Sequence, residues 1–445
     1  MTSKSRSKWY LNSFFSGIGG FELAFERQGF SIAFNCENDP FCRSVLERHW
    51  PHVEYARDIL KLDPSKIPSA HVWTAGFPCQ DLSLAKVPHG RSGFRGKKSS
   101  LFFTFHQLLQ VHRPEIVVLE NVAGLLNAHR GADFRALLVA LTELGYAVSW
   151  RLLNARYFGV PQSRARVFIC AWMNDPVRAV STLFENKLAA VPKREREGFI
   201  TTSRCSTTNA VVPHVSYCIS ATSARHTGLD WARSYVTYEY GVRRLTPLEC
   251  ERIQGFPELW SIPGNGWVTP IEGIDTERYR ALGNAIAVPV GEWIAKRIRS
   301  ILNRRRSHEI QMSLPHTPLT SEILCELSGE FAKTNTHTQR LHENGELKWQ
   351  RGGCAFGDVV IHTAASTAPR HPIHSRFVDL LEKRPVHHRY FLSPNAARGI
   401  LRRVDRIGRH LFPPLDAKLR SMAVNATAGT DQDRNNLTCK EAVYS

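Results

Sequence analysis

The stretch Val72-Trp73-Thr74-Ala75-Gly76-Phe77-Pro78-Cys79-Gln80 indicates both the fold and the chemistry of this chain. Residues 72–75 have the composition of a short buried strand, and Gly76 predicts a tight turn at its end. Open α/β sheets place their reactive groups at the carboxyl ends of such strands, where Cys79 stands. Pro78 restricts the backbone just before the cysteine. A lone cysteine is more often a small buried hydrophobe, so its role depends on the rest of the chain.

Strand-like and helical segments alternate up to about residue 172. Apolar runs predict buried strands over residues 10–15, 32–35, 72–75, 116–119 and 167–170. Segments with helical spacing lie between them, over residues 20–28, 41–50, 101–112 and 134–144. This alternation predicts an α/β fold with a doubly wound, mostly parallel sheet.

The rest of the chain has a different character. Prolines and many Ser and Thr residues break the pattern from about residue 175 to 240, where only 217–222 and 235–240 resemble short strands. Thr246, Pro247 and Glu249 predict the capped start of a helix, and a further helix is predicted over 290–303. The predicted domains are a discontinuous catalytic and cofactor-binding domain (8–174 plus 279–303), a smaller irregular β-rich domain (175–278), a linker (304–345), a basic C-terminal module (346–422) and a disordered tail (423–445).

The charge of the chain is its strongest global signal. The 58 Lys and Arg residues exceed the 40 Asp and Glu residues and give a net charge of +18, which favours a polyanionic partner over solubility alone. The ten cysteines form no C-x-x-C pair and no Cys/His cluster at zinc spacing, so we predict a reduced protein without a metal site. Residues 1–9 lack an apolar signal core and no run reaches membrane-spanning length, which predicts a cytoplasmic protein without membrane contact.

A glycine turn, Phe15-Ser16-Gly17-Ile18-Gly19-Gly20, separates the first predicted strand from the first predicted helix. Glycines allow a ligand to approach the backbone there, and a helix N-terminus favours electron-rich groups. A dinucleotide fingerprint would need a third glycine at position 22, which is Glu22. Glu37 follows the strand predicted at 32–35 and suits a ribose diol, and Asp58-Ile59 close a further short strand before residue 72. The set predicts a nucleoside-bearing cofactor without a pyrophosphate and disfavours a nicotinamide-dependent dehydrogenase.

Polar residues also follow the later predicted strands. Glu120 follows the apolar run 116–119, where burial would raise its pKa and let it hold a proton near neutrality; the alternative is a surface glutamate at a helix start. Arg164 and Arg166 stand two residues apart on an extended segment, so both side chains point to one face and can reach an anionic substrate. Gly283-Asn284 form an amide-bearing turn before a helix.

Taken in this order, the segments resemble the motifs of the cytosine-C5 DNA methyltransferase family. The glycine turn is similar to the cofactor loop of that family, and the other matches are 76–80 to its nucleophile loop, 120–122 to its acid loop, 162–166 to its arginine pair, 244–257 to a late structural motif and 283–284 to its closing cofactor motif. The resemblance covers about residues 11–301. It implies the S-adenosylmethionine-dependent methyltransferase fold, S-adenosylmethionine as cofactor, duplex DNA as partner, and a target-recognition role for the domain at 175–278.

The resemblance also implies roles for individual residues. The implied catalytic residues are Cys79, Glu120, Arg164 and Arg166. The implied cofactor contacts are Phe15, Gly17, Ile18, Gly19, Gly20, Glu37, Asn38, Asp58, Ile59, Pro78, Asn284 and Ala285. The implied DNA contacts are Gln80, Ser83, Arg204, Arg225 and Arg233, with a helix N-cap as the alternative for Ser83. In the implied reaction the Cys79 thiolate adds to C6 of a flipped-out cytosine, with Glu120 at N3 and Arg164 at the O2 side of the base.

Two other functions share part of this pattern. The tRNA-methylating branch of the same family uses similar motifs, but its Cys-Phe-Thr signature does not occur in this sequence. A non-catalytic DNA-binding relative would lack Cys79, Glu120 or Arg164, and all three are present. We therefore predict a monomeric DNA (cytosine-5-)-methyltransferase. Pairing with a restriction endonuclease and protection of a phage genome both remain open as its biological role.

The C-terminal module contains a predicted basic helix. It starts at Ser393-Pro394-Asn395, and its spacing places Arg398, Arg402, Arg406 and Arg409 on one face and Ile400, Leu401, Val404 and Ile407 on an apolar side. Residues 304–445 hold 21 Lys and Arg against 14 Asp and Glu. We expect this region to add non-specific DNA affinity and not to be needed for chemistry. The alternative is a solvated helix face that packs on the core.

Overall fold

A computed structural model of the protein describes residues 9–77, 101–185, 197–223, 230–264, 273–304, 337–342 and 348–428. In chain order its strands and helices are β1 (Trp9–Phe14), α1 (Gly20–Arg27), β2 (Phe30–Cys36), α2 (Pro40–His49), β3 (Glu54–Ala56), β4 (Val72–Ala75), α3 (Leu101–His112), β5 (Ile116–Val122), α4 (Ala132–Glu143), β6 (Tyr146–Asn154), β7 (Ala165–Met173), α5 (Pro176–Leu183), α6 (Glu197–Ile200), β8 (Thr202–Arg204), β9 (Val211–Pro213), β10 (Tyr235–Thr237), β11 (Val242–Arg244), α7 (Pro247–Gln254), α8 (Asp275–Asn284), α9 (Val288–Arg304), β12 (His337–Arg340), β13 (Gly352–Phe356), β14 (Val359–Thr363), α10 (Pro394–Ile407) and α11 (Pro413–Ala428).

A ten-stranded sheet with the order β12-β14-β13-β6-β7-β5-β4-β1-β2-β3 forms the centre of the molecule. Strands β5, β4, β1, β2 and β3 pair in parallel, whereas β7 is antiparallel to both β5 and β6. Phe14 is in register with Cys36 on β2 and with Ala75 on β4, and Ala75 is in register with Leu119 on β5. The residues that follow these four therefore lie side by side at one edge of the sheet.

Helices cover both faces of the central sheet. α1, α5 and α9 lie on one face, where Phe25, Leu183 and Ile294 are buried in a common core. α3 and α4 lie on the other face, where Phe105 and Leu137 are buried. Strands that are buried on both faces read as nearly continuous apolar runs, which is why the sequence predicts them well. The predicted doubly wound α/β architecture is confirmed.

No apolar run in the sequence predicts strand β6. Its pattern is interrupted by Ser149 and Arg151, and both side chains are fully buried. Arg151 donates to the carbonyl oxygens of Ser366 at 3.0 Å and Leu183 at 2.8 Å. These carbonyl groups replace the hydration that the buried guanidinium loses, so a charged residue stands in a strand interior.

The smaller sheet has four antiparallel strands in the order β11-β10-β9-β8. Residues 217–222, predicted as a strand, form a loop instead. The amide of Tyr217 donates to Oγ of Ser234 at 2.8 Å and that of Ile219 to Oε1 of Gln162 at 3.0 Å, so side chains satisfy this backbone in place of a neighbouring strand.

Helix α7 begins with the predicted capping box. The hydroxyl of Thr246 accepts from the amide of Glu249 at 3.2 Å, and Oε2 of Glu249 accepts from the amide of Thr246 at 2.9 Å. Pro247 fills the first helical position, where its missing N–H has no cost. The prediction of this helix start from sequence is confirmed.

The C-terminal part of the chain extends the central sheet. β13 pairs antiparallel with β6, with Cys354 in register with Ser149, and β14 and β12 continue the sheet beyond it. The indole of Trp150 on β6 donates to the carbonyl oxygen of Gln350, 200 residues away in sequence, at 3.2 Å. The range 304–345, predicted as a linker, therefore contains a strand of the central sheet, and the range 346–422 supplies two more.

The last two helices pack on the smaller sheet. Ile400 and Leu419 share a buried cluster with Tyr235 and Val242. The hydroxyl of Ser393 accepts from the amide of Ala396 at 3.2 Å, which confirms the predicted start of α10. Ile407, the last residue of α10, was predicted to lie on the apolar side of the helix. It is 45% exposed because it lies beyond the turns that pack on the small sheet. α11 continues into the range 423–445 that was predicted as a disordered tail, and residues 429–445 lie outside the described residues.

Three further properties hold within the described ranges. No helix there combines the length and the apolar character needed to cross a bilayer. No group of three or more His, Cys, Asp or Glu side chains in these ranges is arranged to hold a metal ion. The seven cysteines in them are free thiols.

Candidate active site

Glu120 and Arg166 form an ion pair at the edge of the central sheet. Val122 on β5 is in register with Arg166 on antiparallel β7, so Glu120 is the diagonal neighbour of the arginine. Nε of Arg166 lies 3.1 Å from Oε1 of Glu120 as an ion pair and not as a well-aligned hydrogen bond. Burial raises the pKa of the Glu120 carboxyl, while the charges of Arg166 and then Arg164 oppose this rise. The carboxyl can therefore hold a proton at a higher pH than an exposed glutamate.

The segment that leads to the candidate nucleophile is tied to this acid. Nδ2 of Asn121 donates to the carbonyl oxygen of Phe77 at 2.9 Å. A Cβ placed on Gly76 would lie 3.9 Å from Oε2 of Glu120. The end of β4 and the acid at the end of β5 are thus neighbours. Four predicted site residues that follow in the sequence lie outside the described residues: Pro78, Cys79, Gln80 and Ser83.

Arg164 uses its guanidinium on carbonyl groups of the protein. It donates to the carbonyl oxygens of Ile219 at 3.0 Å, Gly283 at 3.0 Å and Ala285 at 2.6 Å. The residue is only 3% exposed. Arg164 therefore joins the loop before β10 to the turn between α8 and α9, while its buried Nε has no hydrogen-bond partner among the described residues.

The two arginines do face the same side, as their spacing predicts. Sγ of Cys218 lies 3.2 Å from Nη1 of Arg164 and 3.9 Å from Nη2 of Arg166. The Arg166 side chain is 18% exposed and borders Glu120. Of the two arginines, Arg166 is thus the more exposed. Sequence analysis did not identify Cys218, which carries no motif of its own.

Gln254 is a second residue that the sequence analysis did not identify. Nε2 of Gln162 donates to Oε1 of Gln254 at 3.1 Å, and Nε2 of Gln254 donates to the carbonyl oxygen of Leu282 at 2.5 Å. Both glutamines are fully buried. Buried amides with satisfied donors and acceptors fix one arrangement of the segments that they join, here β7, α7 and α8. The sequence does carry one signal for Gln254, because it is a polar residue on the side of α7 that is buried.

The glycines of the turn before α1 serve different purposes. Gly19 has φ 83°, and a Cβ on it would lie 2.4 Å from the ring of Trp50. A Cβ on Gly20 would lie 2.8 Å from Cγ1 of Ile286. Gly17, at φ 55°, faces open space. The packing of α1 requires Gly19 and Gly20, whereas Gly17 leaves the backbone accessible to a ligand.

Two neighbours of these glycines differ in exposure. The side chain of Ile18 is fully buried, and its carbonyl oxygen accepts from the indole of Trp260 at 2.7 Å. Phe15 is partly buried and has φ 54°. Ile18 is therefore closed off from solvent as a whole residue, whereas Phe15 is partly exposed.

Glu37 links the ends of β1 and β2. Its Oε2 accepts from the amide of Gly17 and its Oε1 from the amide of Asp39, each at 2.7 Å. Burial raises the pKa of this carboxyl although the backbone hydrogen bonds oppose the rise. Asn38 beside it is exposed. The arrangement fixes the direction of the Glu37 carboxylate and leaves free lone pairs for a ligand hydroxyl.

Asp58 and Ile59 lie after β3. Oδ1 of Asp58 accepts from the amide of Leu60 at 3.0 Å and so caps a 3-10 turn. Ile59 is 5% exposed and belongs to the core under α3. The second carboxylate oxygen of Asp58 accepts no hydrogen bond in the described part of the chain.

The turn between α8 and α9 contacts the loop at residues 218–221 directly. A Cβ on Gly283 would lie 2.2 Å from the backbone of Ser220 and Ala221, so glycine is required there. Asn284 is exposed, and Ala285 is buried beside it. The predicted cofactor turn and the loop at residues 218–221 are therefore in contact.

The predicted DNA-reading residues lie in and near the small sheet. Arg204 is exposed on β8. Arg233 is partly buried, and its Nη2 donates to the carbonyl oxygen of Thr222 at 2.7 Å. Arg225 lies outside the described residues. Arg204 is therefore open to a partner, while Arg233 supports the loop before it.

The chain is similar to known DNA-modifying proteins. The sequence profile of a family described as C-5 cytosine-specific DNA methylase matches residues 11–216 and 200–300. The type II methyltransferase M2.BsuMI of Bacillus subtilis is 32% identical over 312 residues, which cover 64% of this chain and 74% of that protein. M.NgoBI of Neisseria gonorrhoeae, also a type II methyltransferase, is 32% identical over 66% of this chain and 94% of its own length. A solved structure, the Dnmt2 methyltransferase of S. pombe, aligns with 66% of this chain and all of its own at 17% identity and a TM-score of 0.47.

Proposed function

Because this chain belongs to the family of C-5 cytosine-specific DNA methylases, we propose that it transfers the methyl group of S-adenosylmethionine to C5 of a flipped-out cytosine in a specific duplex DNA sequence. The observation that carries the proposal is the Glu120–Arg166 pair, 3.1 Å apart and next to Gly76 at the end of β4. Cys79 follows Gly76 by three residues in the sequence. An acid and a cation at the carboxyl ends of the strands, with a cysteine shortly after one of those strands in the sequence, suit covalent catalysis on a base.

The loops at the ends of β1, β2 and β3 fit a nucleoside-bearing cofactor. Gly17 leaves its backbone open, the Glu37 carboxylate is held in one direction by two amides, and Asp58 has a free carboxylate oxygen. We assign the ribose hydroxyls to Glu37 and further contacts to Phe15, Asp58 and Asn284. When bound, S-adenosylmethionine supplies the methyl group to be transferred.

Cys79 is the proposed nucleophile. Its thiolate adds to C6 of cytosine, and the electron pair of the C5–C6 double bond moves through the ring toward N3. The resulting enamine is electron-rich at C5, the position that is methylated. Loss of the C5 proton then restores the double bond and expels Cys79. A positive charge beside a thiol favours the thiolate, and the proposal assigns this role to the guanidinium of Arg166.

Glu120 and Arg166 act on the base in this proposal. Glu120 holds or donates a proton at N3, for which the raised pKa of its carboxyl is suited. Arg166 contacts the O2 side of the base. The family resemblance implies this role for Arg164. Arg164 positions the loop at residue 219 and the turn at 283–285 through its three carbonyl contacts.

We assign sequence recognition to the domain at 175–278. Arg204 and Arg225 are candidate base readers, with Gln80 and Ser83 lining the pocket for the flipped base. Basic residues elsewhere bind phosphates and supply affinity without sequence choice. A role beside a restriction endonuclease is proposed from the relatives, both named type II methyltransferases. Action as a monomer in the cytoplasm stays a prediction.

The test is covalent trapping. Bisulfite sequencing of DNA from an expressing cell first identifies the methylated sequence. A duplex with 5-fluorocytosine at the target then forms an adduct with the parent protein that survives denaturation, and Cys79→Ala forms none while it still binds S-adenosylmethionine.

Cys205→Ala is the matched control. Although burial raises the pKa of this thiol, hydrogen bonds from Thr207 and Thr208 lower it to about 7, so it is the strongest competing thiol in the described part of the chain. We expect this variant to form the adduct normally. An adduct that persists in Cys79→Ala, or none in the parent at saturating cofactor, would refute the mechanism.

A further inference from the structure

Helix α10 lies outside the residues that the family profile matches, yet it is fixed to the recognition region. The amide of Leu392, just before the helix, donates to the carbonyl oxygen of Val242 on β11 at 2.8 Å. Upstream, the amide of Glu382 donates to Oε1 of Glu249 on α7 at 2.9 Å. The helix is therefore held in a defined place on the small sheet, with Ile400 buried against it.

The outward face of α10 is strongly basic. Between Pro394 and His410 the chain has five arginines and one acidic residue, Asp405. Asp405 is paired with Arg420 of α11 at 3.3 Å. Arg402 and Arg406 are exposed, and neither has an acidic partner among the described residues. They lie about 6 Å apart along the helix axis, since each residue rises about 1.5 Å. Such a row of unpaired cations suits successive phosphates of a nucleic acid strand.

The position of this face points to the DNA that the protein methylates. The guanidinium of Arg409, at the end of α10, stacks 4.8 Å from the ring centroid of Trp231. Trp231 belongs to a 3-10 turn that follows residues 224–229 in the sequence, a range that holds the candidate base reader Arg225. The C-terminal end of the basic face of α10 thus lies beside the region to which we assign sequence recognition.

We propose that α10 is a second DNA-contacting element, whose arginines bind phosphates of the duplex flanking the recognition sequence. The inference rests on the proposed function, since it places this surface next to the recognition domain of a DNA methyltransferase. Phosphate contacts of this kind add affinity and salt dependence but no sequence choice.

The experiment compares two double variants of the full-length protein. Arg402→Gln/Arg406→Gln removes two exposed cations from α10, which packs on the small sheet, and Lys61→Gln/Lys66→Gln removes two exposed cations from the 3-10 turns after β3, an edge strand of the central sheet. Binding to a 30-base-pair duplex of arbitrary sequence is measured over a range of salt concentrations. The slope of log K against log salt is negative, and each lost phosphate contact makes it shallower by about 0.9. We therefore expect the slope of the α10 variant to be shallower by about 1.8 and that of the control to be unchanged. Arg402→Lys/Arg406→Lys keeps the charge and should restore the slope.

Methylation separates this inference from the function on which it rests. At saturating DNA the α10 variant should methylate the same sequence as the parent. If the Arg402→Gln/Arg406→Gln variant methylates normally and its salt slope equals that of the Lys61→Gln/Lys66→Gln control, the role of α10 is overturned and the proposed function stays intact. A parent protein that methylates no cytosine in DNA would instead overturn the proposed function.

Discussion

The side-chain amide of Asn121 donates to the main-chain carbonyl oxygen of Phe77 across 2.9 Å. This contact joins the end of β5, which carries the acid, to the residue that precedes Pro78 and Cys79 in the sequence. Asn121 is 3% exposed, so water does not replace the bond when it is lost.

Asn121→Ala should therefore reduce turnover more than cofactor affinity. The variant leaves the Phe77 carbonyl without its donor, at an expected cost of about 1–3 kcal/mol in the free energy of unfolding. Single-turnover methylation and calorimetric binding of S-adenosylmethionine check the two effects separately. Equal losses in both would mean that Asn121 supports the whole edge and not the nucleophile segment.

Glu120→Gln should lower turnover by about 10²–10⁴-fold with little change in DNA affinity, because in the proposed reaction the carboxyl acts on the reacting base. Burial raises the pKa of Glu120, so the protonated form persists to higher pH than in an exposed glutamate. The parent should lose activity as pH rises through that pKa, and the variant should lack this limb. A pH profile of kcat measures both. Normal turnover per folded molecule, with a lower melting temperature, would assign Glu120 a structural role only.

Glu22 should make stability depend on pH. Burial raises its pKa from 4.5 to about 7, against opposing hydrogen bonds, and Glu37 nearby adds to the rise. As pH rises, the Glu22 carboxyl ionises in the unfolded chain before it ionises in the folded protein. The stability that the protonated carboxyl gives the folded protein is therefore fully present below about pH 4.5 and is lost as pH rises to about 7. The loss amounts to about 3 kcal/mol at 1.36 kcal/mol per pKa unit. Urea unfolding of the parent and Glu22→Gln at several pH values measures the difference, which a constant gap between the two proteins would contradict.

Glu249→Ala should be among the most destabilising single changes. Both of its carboxylate oxygens accept from Arg243 at 2.8 Å, and neither side chain is exposed. Removing one partner of a buried pair leaves the other charge uncompensated, at about 3–5 kcal/mol. Glu258→Ala is the control. The Glu258 side chain is 59% exposed, so its ion pair with Arg252 should contribute less than about 1 kcal/mol to the free energy of unfolding. Thermal or urea unfolding compares them, and similar losses in the two variants would contradict the argument.

Deletion of residues 304–445 should prevent folding to a stable, soluble enzyme. It removes three strands from the sheet edge at β6 and both helices from the small sheet, which exposes apolar surface and an unpaired strand edge. Deletion of 429–445 removes none of the described contacts and should leave melting temperature and activity unchanged. Circular dichroism and solubility compare the two. A folded, active product of the longer deletion would restore the expectation from sequence that this region is not needed for chemistry.

Much of the fold and of the candidate site follows from local sequence. The strands β1, β2, β4, β5 and β7 are buried on both faces, so their apolar runs identify them without knowledge of their neighbours. Capping at Thr246 and Ser393 is equally local, because each bond joins residues three apart. The order of strand, polar residue and helix was enough to place the cofactor turn, Glu37 and Glu120 at one edge.

The tertiary structure alone decided how these residues are used. Arg164 and Arg166 are equivalent in the sequence, but carbonyl groups at 219, 283 and 285 occupy the first and Glu120 borders the second. The strands that end the central sheet likewise depend on pairing with β6, about 200 residues earlier in the chain. Composition and spacing report which groups a segment carries. Which partners those groups meet depends on segments distant in sequence, since burial and hydrogen bonding are settled only when the chain packs.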